Sequence, residues 1–237
     1  PGLRKYYDLS APAGDEARVS PMELDARVLR LLGLEAPGYD RPGGTWPVPE
    51  EARRAADAFW KAHGFGEKDQ VVAVNPFASC PSKEWLPEKW AAVLKELLAN
   101  GFKAFFTCAP LEKKGLKAIE DRLGRSLPAY AGAPLVPLMG LYQRSRVVLS
   151  VDSGPRHLAA AVGTPTLTVW GPEPLDRWHP YSRERHPVLV RDVDCRPCGL
   201  SVCVARKHEC MVQLDPKGLL KTLKALLRRT LAPGTVA

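Results

Sequence analysis

Apolar residues along the chain fall into two regimes that meet near Gly66. After that point, short apolar runs alternate with amphipathic stretches of helical period, the pattern of strands and helices in strict succession. The runs predict strands over 71–74, 102–107, 129–131, 147–151, 166–170 and 186–191. Between them lie helices over 87–98, 112–123 and 135–144 and a small-residue helical run over 157–162; a last helix begins at Asp215-Pro216. Strands separated by helices of this length predict a parallel sheet covered on both faces, a Rossmann-like α/β unit.

The chain before Gly66 reads differently. Residues 1–20 carry no period. Ser20-Pro21-Met22-Glu23 is a capping box with Pro in the first helical position, and Leu24, Val28, Leu31 and Leu32 mark one face of the helix that follows until Gly33. Residues 36–48 are rich in Pro and Gly and read as a linker. A second helix over 49–62 stops at Gly64. The expected division is therefore a tail and linker over 1–48 and a ligand-binding domain over 49–237.

Asp152-Ser153-Gly154-Pro155, at the end of the 147–151 strand, is the turn around which the rest is arranged. Asp152 or Ser153 can cap the helix behind it, Gly154 permits a turn or a close ligand, and Pro155 suits the first helical position. Such a turn, at the carboxyl end of a parallel strand, is where open α/β sheets bind anions. The loop after the first strand brings Ser79 and Lys83 to the same crevice. Lys83 there is either a phosphate-binding cation or an exposed surface lysine. His157, in the first turn of the helix, is either a hydrogen-bond partner of a ligand or a structural histidine. Asp152 is either a cap or an acceptor for sugar hydroxyls.

Composition adds little to this. With 237 residues, 34 basic against 26 acidic and a net charge of +8, the chain can bury a large core and favours acidic partners such as nucleotide phosphates, anionic lipid or nucleic acid. No run of about 18 apolar residues and no signal-peptide pattern is present, so the expected location is cytoplasmic. Cys195, Cys198, Cys203 and Cys210 fall within sixteen positions, with His208 among them. They read as a structural zinc site or as buried or redox-paired thiols.

Three phrases, VDSGPRHLAAAVGTPTLTVWGP, PSKEWLPEKW and CRPCGLSVCVARKHECM, resemble the family 9 glycosyltransferases, the ADP-heptose:lipopolysaccharide heptosyltransferases. The resemblance covers roughly residues 67–230. It implies a GT-B architecture, of which this chain would be the carboxyl-terminal domain with a helical remnant of the amino-terminal one, and inverting transfer with neither cofactor nor catalytic metal. It further implies that Lys83 and Ser79 contact the diphosphate of the sugar donor, Glu112 the ribose and Asp152 the transferred sugar. Ser153, Gly154 and His157 would form the phosphate end of the site. The partners implied are a nucleotide sugar such as ADP-heptose and a glycolipid acceptor at the inner membrane surface, not nucleic acid, with the enzyme peripheral to that membrane.

The family also has an amino-terminal Gly-rich loop and an Asp expected to act as general base, and nothing in residues 1–50 matches them. The expectation is a fragment of a longer enzyme, with no general base of its own. Two other functions stand beside the transferase. One is a non-catalytic nucleotide- or nucleic-acid-binding module in which Arg196, Arg206 and Lys207 contact phosphates. The other is a GT-B-like sugar-nucleotide epimerase.

Overall fold

The structure, a computed structural model, describes residues 19–35, 46–132, 134–204 and 207–231. Two fully buried, β-branched runs, β1 (Val71–Asn75) and β4 (Val147–Val151), lie side by side in parallel with Asn75 opposite Ser150. Outward from β1 come β2 (Lys103–Thr107) and β3 (Ala129–Tyr130); outward from β4 come β5 (Thr166–Trp170) and β6 (Val188–Val190). All pairings are parallel, and the order is β3-β2-β1-β4-β5-β6. The chain thus winds one way from β1 and then the other way from β4. The crevice beyond the carboxyl ends of those two strands is the switch point where such sheets bind ligands.

Both faces are covered, as the buried central strands require. Successive side chains of a strand point to opposite faces. Val72, Val74, Leu149 and Leu167 therefore pack on one side with α3 (Pro87–Ala99), α4 (Lys113–Leu123) and α9 (Pro216–Leu231). Val71, Ala73, Phe105 and Val148 pack on the other with α2 (Glu50–Ala62), α5 (Leu135–Arg144) and α6 (Gly154–Ala161). A Cβ on Gly140 of α5 would stand 1.9 Å from the Ala52 carbonyl oxygen, so only glycine lets α2 and α5 approach this closely. Burial of this kind contributes about 25 cal/mol per Å2 of apolar surface and is the main force holding the layers together.

Several expectations needed revision. α1 (Pro21–Leu31) forms behind Ser20, whose Oγ accepts from the Glu23 N–H at 3.1 Å, but its one buried residue is Ala26. Val28, Leu31 and Leu32 are exposed, because among the described residues no element packs over that face. The strand expected over 186–191 shrinks to Val188–Val190. Pro187 has no N–H for the ladder, and His186 turns its Nδ1 to Thr166 Oγ1 at 3.0 Å. The helix expected from residue 157 begins at Gly154. Two 3-10 turns, Pro81–Lys83 and Pro110–Glu112, and two short helices, α7 (Leu175–Trp178) and α8 (Glu209–Val212), have no counterpart in the sequence reading. Most of the expected tail and linker, and Arg206, lie outside the described residues.

Candidate functional site

A cavity of about 660 Å3 opens at the carboxyl ends of β1, β2 and β4. All seven expected residues, Ser79, Lys83, Glu112, Asp152, Ser153, Gly154 and His157, line it. They come from three separate segments, those that follow β1, β2 and β4, which the sheet order converges on the switch point.

Lys83 ends the 3-10 turn Pro81–Lys83, which the Pro81 ring and the fully buried Ser82 hold in place. Ser82 N–H donates to the Ser201 carbonyl at 3.1 Å and Ser82 Oγ to the Leu200 carbonyl at 2.5 Å. The ammonium is delivered inward, which removes the surface-lysine reading: its side chain is 16% exposed. Lys83 Nζ donates to Asp152 Oδ2 at 3.1 Å and lies 3.1 Å from Glu173 Oε1. The other oxygen of Asp152, Oδ1, accepts from Arg156 Nε at 3.0 Å. Glu173, Lys83, Asp152 and Arg156 thus form one row of alternating charge. Arg156 is fully buried; its guanidinium also donates to the Trp178 carbonyl, meets His179 Nδ1 at 3.3 Å and lies over the Trp170 ring at 4.6 Å. Burial works to lower the Lys83 pKa, but the two carboxylates outweigh it and the net shift is upward. Lys83 is therefore a committed cation.

This row changes two expectations. Asp152 does not cap α6, since both of its oxygens are occupied by cations. Ser153 does not cap it either: Ser153 Oγ donates to Asn75 Oδ1 at 3.1 Å, while Asn75 Nδ2 donates to the Thr107 carbonyl at 2.8 Å. No side-chain cap bond is made at the start of α6; Pro155 has no N–H and the Arg156 N–H donates to the Ser153 carbonyl at 3.3 Å, which leaves the Gly154 N–H and the positive end of the helix for a ligand. Gly154 has an ordinary negative φ, and a Cβ there would meet nothing within 4 Å. Its service is space beside the helix terminus rather than a special turn.

His157 Nδ1 shares a hydrogen bond of 2.7 Å with the Tyr181 hydroxyl. Burial, with the cations Arg156 and Lys83 and the His179 ring nearby, lowers its pKa to about 3, so the ring is neutral. A neutral ring whose Nδ1 accepts from the tyrosine presents Nε2–H as a donor. Across the cavity, Glu112 accepts from the Ala109 N–H at 2.8 Å and closes its own turn with one oxygen. Ser79 is exposed at the rim. Cys108 also lines the cavity, but burial pushes its pKa to about 11, which leaves it a thiol and no nucleophile.

The four clustered cysteines border a different cavity, of about 260 Å3, behind the Lys83 loop. All are free thiols, and among the described residues no group of three or more His, Cys, Asp or Glu could hold a metal ion. His208, which lies among them in the sequence, sets Nε2 at 2.6 Å from the Ser82 carbonyl. No helix of the described residues is long and apolar enough to cross a membrane.

Arg156, Glu173 and Asn75 were not singled out in the sequence. Arg156 carried a signal, a lone cation on an otherwise small and apolar helix, four residues after Asp152. Glu173 carried none, for its partner Lys83 is 90 residues away.

Comparison with known proteins bears on this arrangement. Residues 21–209 match the profile of glycosyltransferase family 9 (heptosyltransferase). The lipopolysaccharide heptosyltransferase 3 of Escherichia coli K12 is 30% identical over 139 residues, 56% of this chain and 38% of that protein. The chain spans about a quarter to a half of the length of the curated relatives it matches. Among solved structures, the family 9 glycosyl transferase of Veillonella parvula superposes with a TM-score of 0.80 at 20% identity, covering 96% of this chain and 65% of that one. The ADP-heptose lps heptosyltransferase II of E. coli gives 0.62 at 18% identity, covering 79% and 54%. These likenesses bear out the Rossmann-like, GT-B type of fold. With the family profile matched over most of its length, the chain belongs to glycosyltransferase family 9.

Proposed function

We propose that the cavity holds the nucleotide-sugar donor of an inverting glycosyltransferase that adds a sugar, heptose being the first candidate, to a lipopolysaccharide or related glycolipid acceptor. The observation that carries this reading is the pairing of Lys83 with Asp152 beside the uncapped start of α6, at the switch point of the sheet. The Gly154 N–H, the positive end of α6 and Lys83 suit the diphosphate, with Ser79 at the rim and His157 Nε2–H as a further donor. The remaining lone pairs of Asp152 suit sugar hydroxyls, and the free oxygen of Glu112 suits the ribose. The heptosyltransferase names of its relatives support the sugar and the acceptor.

In this reading the bond between the anomeric carbon and the β-phosphate oxygen breaks with charge gathering on that phosphate. Lys83 and the α6 terminus stabilise that charge more in the transition state than before it, which is the condition for catalysis. No residue of the cavity is offered as the base that activates the acceptor. Positive potential from lysine and helix can replace a metal, so binding should survive chelation. The acceptor would be met at the cytoplasmic face of the inner membrane.

Titration calorimetry with ADP-, GDP- and UDP-sugars in the presence of EDTA tests the reading. Saturable binding of one nucleotide series is expected. Salt-sensitive binding of DNA or RNA without any nucleotide-sugar binding would favour the nucleic-acid module instead.

A further inference from the structure

Glu173 lies off the lining of the cavity, yet it stands as near to Lys83 Nζ as Asp152 does, 3.1 Å in each case. Its side chain is only 17% exposed, and it is held from three directions. Trp178 Nε1 donates to Glu173 Oε2 at 3.1 Å, and Trp170 Nε1 donates to the Glu173 carbonyl at 2.9 Å. Gly171, two residues earlier, lies so close to the Lys83 loop that an added Cβ would stand 3.2 Å from the Ser82 carbonyl oxygen. The carboxylate is therefore fixed against Lys83, the lysine that the sugar-donor reading sets at the phosphates.

A fixed anion there weakens the hold of Lys83 on phosphate, which is costly for a site that must bind a diphosphate. The cost is unequal between substrate and product. In a nucleotide sugar the terminal phosphate is a diester-like group with about one negative charge. Once the sugar has left, that phosphate titrates near pH 6 and carries about −1.5 to −2 at pH 7. The extra charge appears beside Lys83, within reach of the Glu173 field.

Resting on the sugar-donor reading of the cavity, we propose that Glu173 is a positioning residue that acts through Lys83 to weaken binding of the free nucleoside diphosphate relative to its sugar ester, and so favours product release. A purely structural glutamate would lower both affinities when removed. A charge balance of this kind does the opposite, and selectively.

The experiment is calorimetric titration of wild type, Glu173→Gln, Lys83→Met and the double variant with ADP and with ADP-heptose in the absence of acceptor, or with the corresponding pair for whichever base the wild type binds. Glu173→Gln should tighten ADP by about tenfold and the sugar ester by less than about threefold, the difference expected of one nearby charge. In the Lys83→Met background the substitution should change neither affinity. Equal tightening of both ligands, weakening of ADP, or an effect that persists without Lys83 overturns the proposal while leaving the sugar-donor site standing. A wild type that binds none of the pairs contradicts the sugar-donor reading, and the inference falls with it. If Glu173→Gln fails to fold, Glu173→Asp, which withdraws the carboxylate by one methylene, should tighten ADP in the same direction by a smaller factor, and unchanged ADP affinity there counts against the proposal.

Discussion

Lys83 shows how a single residue can be read correctly in place and incompletely in company. Its loop position assigns it to the crevice, but only the structure reveals that its charge is shared by Asp152 and Glu173. If the proposed transfer is right, the Lys83→Ala substitution should lower it by about 10²- to 10³-fold in single-turnover kinetics, the usual loss for one electrostatic stabiliser; wild-type turnover would remove Lys83 from the mechanism. Because Asp152 bonds Lys83 directly, Asp152→Asn should disturb diphosphate binding as well as sugar selection. Arg156 is the structural member of the row. Arg156→Met would leave Asp152 Oδ1 without its buried partner and cost about 3–5 kcal/mol, read as a fall in Tm of roughly 10 °C for a chain of this size. An unchanged Tm would show that the guanidinium contributes nothing net.

Two histidines give the same scale a pH signature. His157 and His179 are both held at about 3, chiefly by burial and then by Arg156, against an ordinary 6.5. Between those values the unfolded chain binds more protons than the folded one, so stability should fall as pH falls below 6.5 and stay flat above it as far as these groups decide. The slope is at most about 1.4 kcal/mol per pH unit for each ring. Urea unfolding at pH 6.5 and 5.0 measures it, and a midpoint independent of pH over that interval would contradict the buried, neutral rings.

At the scale of elements, α6 is the piece on which the proposed binding depends. The sequence disclosed its Pro155 and its place after β4, because Pro and Gly punctuate the apolar pattern. It did not disclose the capping, since whether Asp152 turns to its own helix or to Lys83 depends on a loop 69 residues away. Gly154→Ala should separate stability from binding. An ordinary φ and open space make the methyl harmless or slightly stabilising to the fold, by up to about 1 kcal/mol, while the same methyl would occupy the proposed place of a phosphate. Nucleotide affinity should drop about tenfold with Tm unchanged or higher; a parallel loss of both would mean that the glycine is needed for the fold. The elements absent from the sequence reading are those of one turn, such as α7 and Pro81–Lys83, which are too short to show a period.

For the whole molecule, alternation of apolar runs and helices was enough to predict the parallel sheet, and motif phrases supplied the family. Pairing order was not legible in the same way, because the four central strands β2, β1, β4 and β5 are buried on both faces and offer no alternation to fix their neighbours. The cluster of Glu173, Lys83, Asp152 and Arg156 exists only once β1, β4 and β5 are side by side. What that order builds, a cation and a helix terminus facing one crevice, is the physical ground on which the proposed metal-free binding of a diphosphate rests. The most direct test is calorimetric titration of the protein with nucleoside diphosphates in EDTA and again with excess Mg²⁺. Saturable binding of one diphosphate with the same affinity in both, and its weakening in Lys83→Ala, is the predicted result; binding that appears only with Mg²⁺, or that persists undiminished in Lys83→Ala, would contradict it.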